Sequence, residues 1–112
     1  MAAYVPKQGD VIFLDFQPQT GHEQAGRRPA VVVSNAAFHQ HTNGLGMVCP
    51  VTNTLTSFPL HVPLDSRSRT TGVIMCEQVK SLDLAARRAE FREALTEDLL
   101  QKVLERIRLA LG

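Results

Sequence analysis

The amino-acid sequence predicts a mainly β fold, a small, partly open β-barrel with a C-terminal α-helix. Three observations carry that expectation. Short runs rich in β-branched and aromatic residues recur along the chain, polar stretches holding Gly and Pro separate them, and only the C-terminal stretch repeats apolar residues at a helical period.

Gly9 opens the first run, Asp10-Val11-Ile12-Phe13-Leu14-Asp15-Phe16, and Pro18 bounds it, which reads as a strand. From Gln17 to Arg28 the chain carries Pro18, Gly21 and Gly26 and almost no large apolar residue, so a long loop is expected there. Pro29 ends that loop by fixing φ, and Ala30-Val31-Val32-Val33 follows as a strand buried on both faces. Ser34 or Asn35 caps a short helix through Ala36 to His41, and Asn43-Gly44 closes it. Met47 to Thr52 is a third strand, and Phe58 to Val62 a fourth whose prolines favour a sheet edge. Ser66 to Gly72 is a polar, basic loop, and short strands follow at Val73 to Cys76, Val79 to Leu82 and Ala89 to Phe91. Thr96 then caps the terminal helix, Glu97 and Asp98 suit the positive end of its dipole, and Leu95 can staple against Leu100. Its apolar face is Leu99, Leu100, Val103, Leu104, Ile107 and Leu111, which must lie on the barrel or on a partner.

At 112 residues and 44% hydrophobic content the chain is of single-domain size, residues 1–112, with a thin core that favours self-association. The net charge of +1 gives no overall attraction for nucleic acid, so any such case rests on local clusters: Arg27 and Arg28, Arg67 and Arg69, and Arg87, Arg88 and Arg92. Each is also compatible with a solvated surface. Cys49 and Cys76 lack metal-type spacing and read as reduced, small buried residues. No basic-then-apolar leader opens the chain and no apolar stretch is long enough to span a bilayer, so a cytoplasmic location away from membranes is expected.

The stretch Gly21-His22-Glu23-Gln24-Ala25-Gly26-Arg27-Arg28-Pro29 is the most informative for chemistry, because it sets a carboxylate, two guanidiniums and two glycines in a loop leading into a buried strand. A partly buried Glu23 can accept a proton, and Arg28 stays charged and offers a planar fork to phosphate oxygens. A Glu–Arg ion pair that steadies the loop satisfies the same residue types. Among the histidines only His22, beside Glu23, is placed to touch a substrate; His39, His41 and His61 read as structural, and their scatter makes no zinc site. Arg67 and Arg69, set among Ser66, Ser68, Thr70 and Thr71, suit phosphates along a single strand as well as they suit solvent. Phe38 and Phe58 are possible base-stacking residues, although with aromatics at 5% of the chain the core has the stronger claim on them.

The order Gly9-Asp10, Phe16, Glu23-Gln24-Ala25-Gly26, Arg28-Pro29, the apolar strand ending at Ser34, Pro50 and Thr52, then Gly72 and Gln78-Val79-Lys80-Ser81, resembles the MazF/PemK/Kid toxins over nearly the whole chain. The resemblance implies an SH3-like barrel that forms a homodimer, an endoribonuclease cutting single-stranded mRNA without metal or cofactor, and a cognate antitoxin protein. It puts catalytic roles on Glu23, Arg28 and Thr52, with His22, Gln24, Arg27, Arg67, Arg69 and Gln78 on the RNA. At Glu77 many members carry Asp, and the longer side chain changes reach. Attack of the ribose 2′-OH on the neighbouring phosphate would then give 2′,3′-cyclic phosphate and 5′-OH ends. Two other readings keep the same barrel: a non-enzymatic toxin like the gyrase-poisoning CcdB proteins, and an SH3-like module that binds a protein target.

Overall fold

A computed structural model describes residues 4–16, 27–54 and 58–112. Seven strands and two helices follow in the order β1 (Asp10–Asp15), β2 (Arg27–Val32), α1 (Ala36–His41), β3 (Leu45–Thr52), β4 (His61–Pro63), β5 (Val73–Met75), β6 (Lys80–Asp83), β7 (Glu90–Ala94) and α2 (Glu97–Leu111), with a 3-10 turn at Cys76–Gln78 between β5 and β6. The strands pair antiparallel in the order β4-β5-β3-β2-β1-β7, and β6 joins β3 beside β5. No described pairing joins β4 to β7, so the barrel stays partly open, as the sequence predicts.

The differences from the expected elements lie at strand ends. β2 starts at Arg27, so Pro29 lies inside a strand. Pairing with β3 begins only at Ala30, and at Pro29 the strand has β1 as its one partner, which a residue without an N–H tolerates. The edge strand expected from Phe58 begins three residues later at His61, and β7 runs to Ala94. α1 matches in both bounds: Asn35 accepts from the Phe38 amide at 3.0 Å, and Asn43 (φ 65°) and Gly44 (φ 108°) turn the chain out of it through the left-handed region. Thr96 has the extended backbone of an N-cap, yet its hydroxyl makes no capping bond.

The sheet is buried on both faces. On one, Val11, Val31, Cys49, Val51 and Ile74 pack with Leu99, Leu100 and Val103 of α2; on the other, Ile12, Leu14, Ala30, Val32, Val48, Leu82 and Leu84 form a second cluster against Tyr4 and Phe16. Val103 is fully buried while Leu111 is 81% exposed, so α2 runs past the sheet it covers. Both cysteines are free thiols in the core, and a hydrogen bond with the Cys76 thiol, together with burial, pushes the Cys49 thiol well above its ordinary range. Phe38 and Phe58 are not core residues: α1 buries none of its side chains, and the Phe58 ring is 45% exposed and set edge-on to His61. No helix among the described residues is long and apolar enough to cross a membrane.

Candidate active site

Strand register assembles the site. Leu14 pairs with Arg28, and Ala30 with Pro50, so continuing the β2–β3 register by two residues brings Arg28 level with Thr52. On the far side of β3, Val48 pairs with Lys80. Side chains alternate along a strand, so Arg28 shares a face with Ala30 and Val32, Thr52 with Val48, and Lys80 with Leu82. All three therefore project on the face opposite α2. Phe16 packs against the same cluster, and the Lys80 ammonium sits 5.3 Å from the centre of its ring.

Arg28 is exposed and forms neither a hydrogen bond nor an ion pair among the described residues. Its neighbour differs. Arg27 donates to Asp15 at 3.1 Å, to Glu90 at 2.9 Å, and to the carbonyls of Arg88 at 2.7 Å and Phe13 at 3.3 Å. Arg88 adds a second guanidinium to Asp15 at 2.9 Å, and together these cations hold the Asp15 carboxyl below the usual range. The first of the two arginines thus fastens β1, β2 and β7 together, and the second has no side-chain partner among the described residues. Strand alternation accounts for the division, because consecutive residues face opposite sides.

Thr52 ends β3, and its Oγ1 accepts from the Thr54 amide at 3.1 Å. With that lone pair engaged, the hydroxyl proton remains to be donated outward. Glu23, His22 and Gln24 lie outside the described residues. The described residues on either side of them are paired, Asp15 with Arg27 and Leu14 with Arg28.

Of the remaining predicted residues, Arg67 and Arg69 are engaged by partners elsewhere in the chain. Arg67 is tied at 2.8 Å to both Asp65 and Asp98, the latter in the first turn of α2. Arg69 donates to the Arg92 carbonyl at 2.7 Å, and its amide bonds to Glu93, whose strand partner Val11 belongs to the helix-side core. Gln78 is exposed on the 3-10 turn with its amide 3.5 Å from Glu77. Glu77 itself meets His61 at 3.1 Å, a pair whose histidine side chain is only 9% exposed. Among the described residues no group of three His, Cys, Asp or Glu side chains is placed to hold a metal ion.

Lys80 is the residue that sequence reasoning passed over. It was legible only as part of Gln78-Val79-Lys80-Ser81, and alternation from the buried Leu82 would have turned it to the same side as Arg28 once the pairing of β3 with β6 was known. Arg28 and Lys80 have no carboxylate partner among the described residues, whose part of this face presents two cations beside an aromatic ring and a hydroxyl donor. That combination fits the phosphates and bases of a single-stranded nucleic acid.

Comparison with known proteins gives the same direction. A family model described as PemK-like, MazF-like toxin of type II toxin-antitoxin system matches residues 7–111. The chain is similar to the endoribonuclease toxin MazF of Escherichia coli K12, 37% identical over 112 residues that cover 100% of this chain and 99% of the relative. Among solved structures, MazF from Deinococcus radiodurans (Form-I) superposes with a TM-score of 0.86 at 41% identity, covering 98% of this chain and 99% of the other. A MazE-MazF structure (Form-III) from the same organism gives 0.88 at 38% identity, covering 97% and 98%.

Proposed function

This chain belongs to the PemK-like, MazF-like toxins of type II toxin-antitoxin systems, and from that membership we propose that it is an endoribonuclease that cleaves single-stranded mRNA through Glu23, Arg28 and Thr52. The observation that carries the assignment is the common face of Arg28, Thr52 and Lys80, with the Arg28 guanidinium free of partners among the described residues. In the reaction Glu23 takes the proton of a ribose 2′-OH as that oxygen bonds to the adjacent phosphorus, and the P–O5′ bond breaks with the leaving 5′ oxygen taking a proton from water. The products are a 2′,3′-cyclic phosphate and a 5′-OH.

Arg28 stabilises the extra charge of the pentacoordinate phosphorane; its very high pKa makes it a poor acid, so charge stabilisation rather than proton donation is its part. Thr52 donates a hydrogen bond from its hydroxyl to a phosphate oxygen. Lys80 neutralises a neighbouring phosphate, and the ring of Phe16 offers a platform for a base. Arg27, fixed by its intramolecular partners, acts by holding the loop's exit strand, and Arg67 and Arg69 lie outside the RNA face. His22 and Gln24, beside Glu23, reach the bases.

Residues 1–112 act as one toxin domain, working in the cytoplasm as a symmetric homodimer, and a cognate antitoxin inhibits it by covering the face of Arg28 and Lys80 with acidic side chains. The reading is tested by incubating purified protein with defined RNA in excess EDTA. Cleavage at a few fixed sequences supports it; intact RNA overturns it and favours a toxin that binds a protein target.

A further inference from the structure

The loop between β4 and β5 is fastened at several points. The Thr70 hydroxyl and amide both donate to Glu93, at 2.7 and 2.8 Å, and Arg92 donates to the same hydroxyl at 3.0 Å; Thr70 is buried. Arg67 ties the loop to α2 through Asp98. Every one of these bonds lies on the helix side of the sheet, yet the loop's last two residues reach the end of β3. There the Thr71 hydroxyl donates to Asn53 Oδ1 at 3.0 Å.

Gly72 completes the approach. Its φ is 118°, and a Cβ at this position would stand 2.4 Å from the Thr52 carbonyl oxygen and 2.9 Å from its carbon. Only glycine lets the loop backbone lie this close. Thr52 is thus gripped from behind at its carbonyl and through its neighbour Asn53, and in front its Oγ1 is held by the Thr54 amide. A hydroxyl that must meet a phosphate oxygen gains from such a brace, because a misplacement of about 1 Å can cost on the order of a hundredfold in rate.

We propose that Thr71 and Gly72 are positioning residues that hold Thr52 at the RNA phosphate through Asn53 and the Thr52 carbonyl. The inference rests on the catalytic role given to Thr52 above. Its test compares Thr71→Val, Thr71→Ser, Thr52→Val and the double Thr52→Val/Thr71→Val protein in single-turnover cleavage of a defined RNA, with RNA affinity and melting temperature measured alongside. Thr71→Val should slow cleavage by about tenfold, a partial loss of alignment, with affinity and melting nearly unchanged. Thr71→Ser should restore the rate, and the double variant should be no slower than Thr52→Val, because Thr71 acts only through Thr52.

If Thr52→Val is impaired while Thr71→Val cleaves normally, or if the two losses multiply, the positioning role is overturned and the role of Thr52 stands. If Thr52→Val cleaves like the unaltered protein, the reading of Thr52 fails and the inference fails with it. Should Thr71→Val not fold, Asn53→Ala removes the same bond from its acceptor side and is judged by the same comparison.

Discussion

Replacing Arg28 by alanine, beside the same replacement at Arg27, separates catalysis from architecture within one dipeptide. Arg28 is exposed and has no partner among the described residues, so its loss should change stability by no more than about 0.5 kcal/mol, the usual range for surface substitutions. Its effect on the reaction should be far larger. A preorganised donor aimed at developing charge contributes about 2.7–4 kcal/mol to the barrier, so Arg28→Ala should slow single-turnover cleavage by a factor on the order of a hundred to a thousand. Arg28→Lys should recover part of that, since an ammonium restores charge without the planar fork. Arg27→Ala should behave in the opposite way. It removes donations to the carbonyls of Arg88 and Phe13 as well as two ion pairs. The two carbonyl bonds alone suggest a loss of roughly 1–2 kcal/mol, and each kcal/mol lowers the melting temperature of a domain near this size by about 4–8 °C. Cleavage of end-labelled RNA under enzyme excess and thermal unfolding by circular dichroism read the two effects. An Arg28→Ala protein that cleaves normally, or that melts as early as Arg27→Ala, would refute the division of labour.

Three further outcomes follow from the same structure. Burial raises the Glu93 carboxyl, but the Thr70 hydroxyl, the amides of Arg69 and Thr70 and the Arg69 charge outweigh it and hold its pKa below the ordinary 4.5. A depressed folded-state pKa stabilises above the unfolded value and is lost as pH falls through the folded one, so the melting-temperature gap between the unaltered protein and Glu93→Gln should shrink below pH 4.5; a gap independent of pH would contradict this. Cys49 and Cys76, at 0% and 2% exposure, should stay unreactive to an aromatic disulfide reagent in the native protein and both react in denaturant, whereas rapid native labelling would show a looser core. Sedimentation equilibrium should give twice the chain mass at tens of micromolar, roughly the range of modest interfaces, and a monomer there would remove the proposed dimer.

Local signals made several elements readable in advance. Asn35 and Asn43-Gly44 bracket α1 within a few residues of one another, and the β-branched and aromatic run between Gly9 and Pro18 marks β1 without any tertiary knowledge. The misreadings have a common source in long-range pairing. Pro29 reads as a boundary until it is known that the pairing of β2 with β3 starts only at Ala30, and Phe58 reads as core until its ring is seen against His61 at the open edge. The candidate site shows the same limit. Glu23, Arg28 and Thr52 were named through the family resemblance, yet the contrast between Arg27 and Arg28 depends on Arg88 and Glu90, some sixty residues downstream. Lys80 joins the face only through the pairing of β6 with β3, and the basic look of Arg67 and Arg69 concealed the acids Asp65, Asp98 and Glu93 that engage that loop.

The chemistry proposed for Glu23, Arg28 and Thr52 requires one particular atom of the substrate, the 2′ oxygen preceding the cut. Once cleavage sites are mapped on a defined RNA, a single 2′-deoxyribose can be placed on the 5′ side of one site and the products resolved beside those of the all-ribose strand. Cleavage should vanish at that site alone, continue at the others, and leave 2′,3′-cyclic phosphate and 5′-OH ends wherever it occurs. Continued cutting at the deoxy position, or fragments bearing 5′-phosphate, would contradict attack by the 2′-OH.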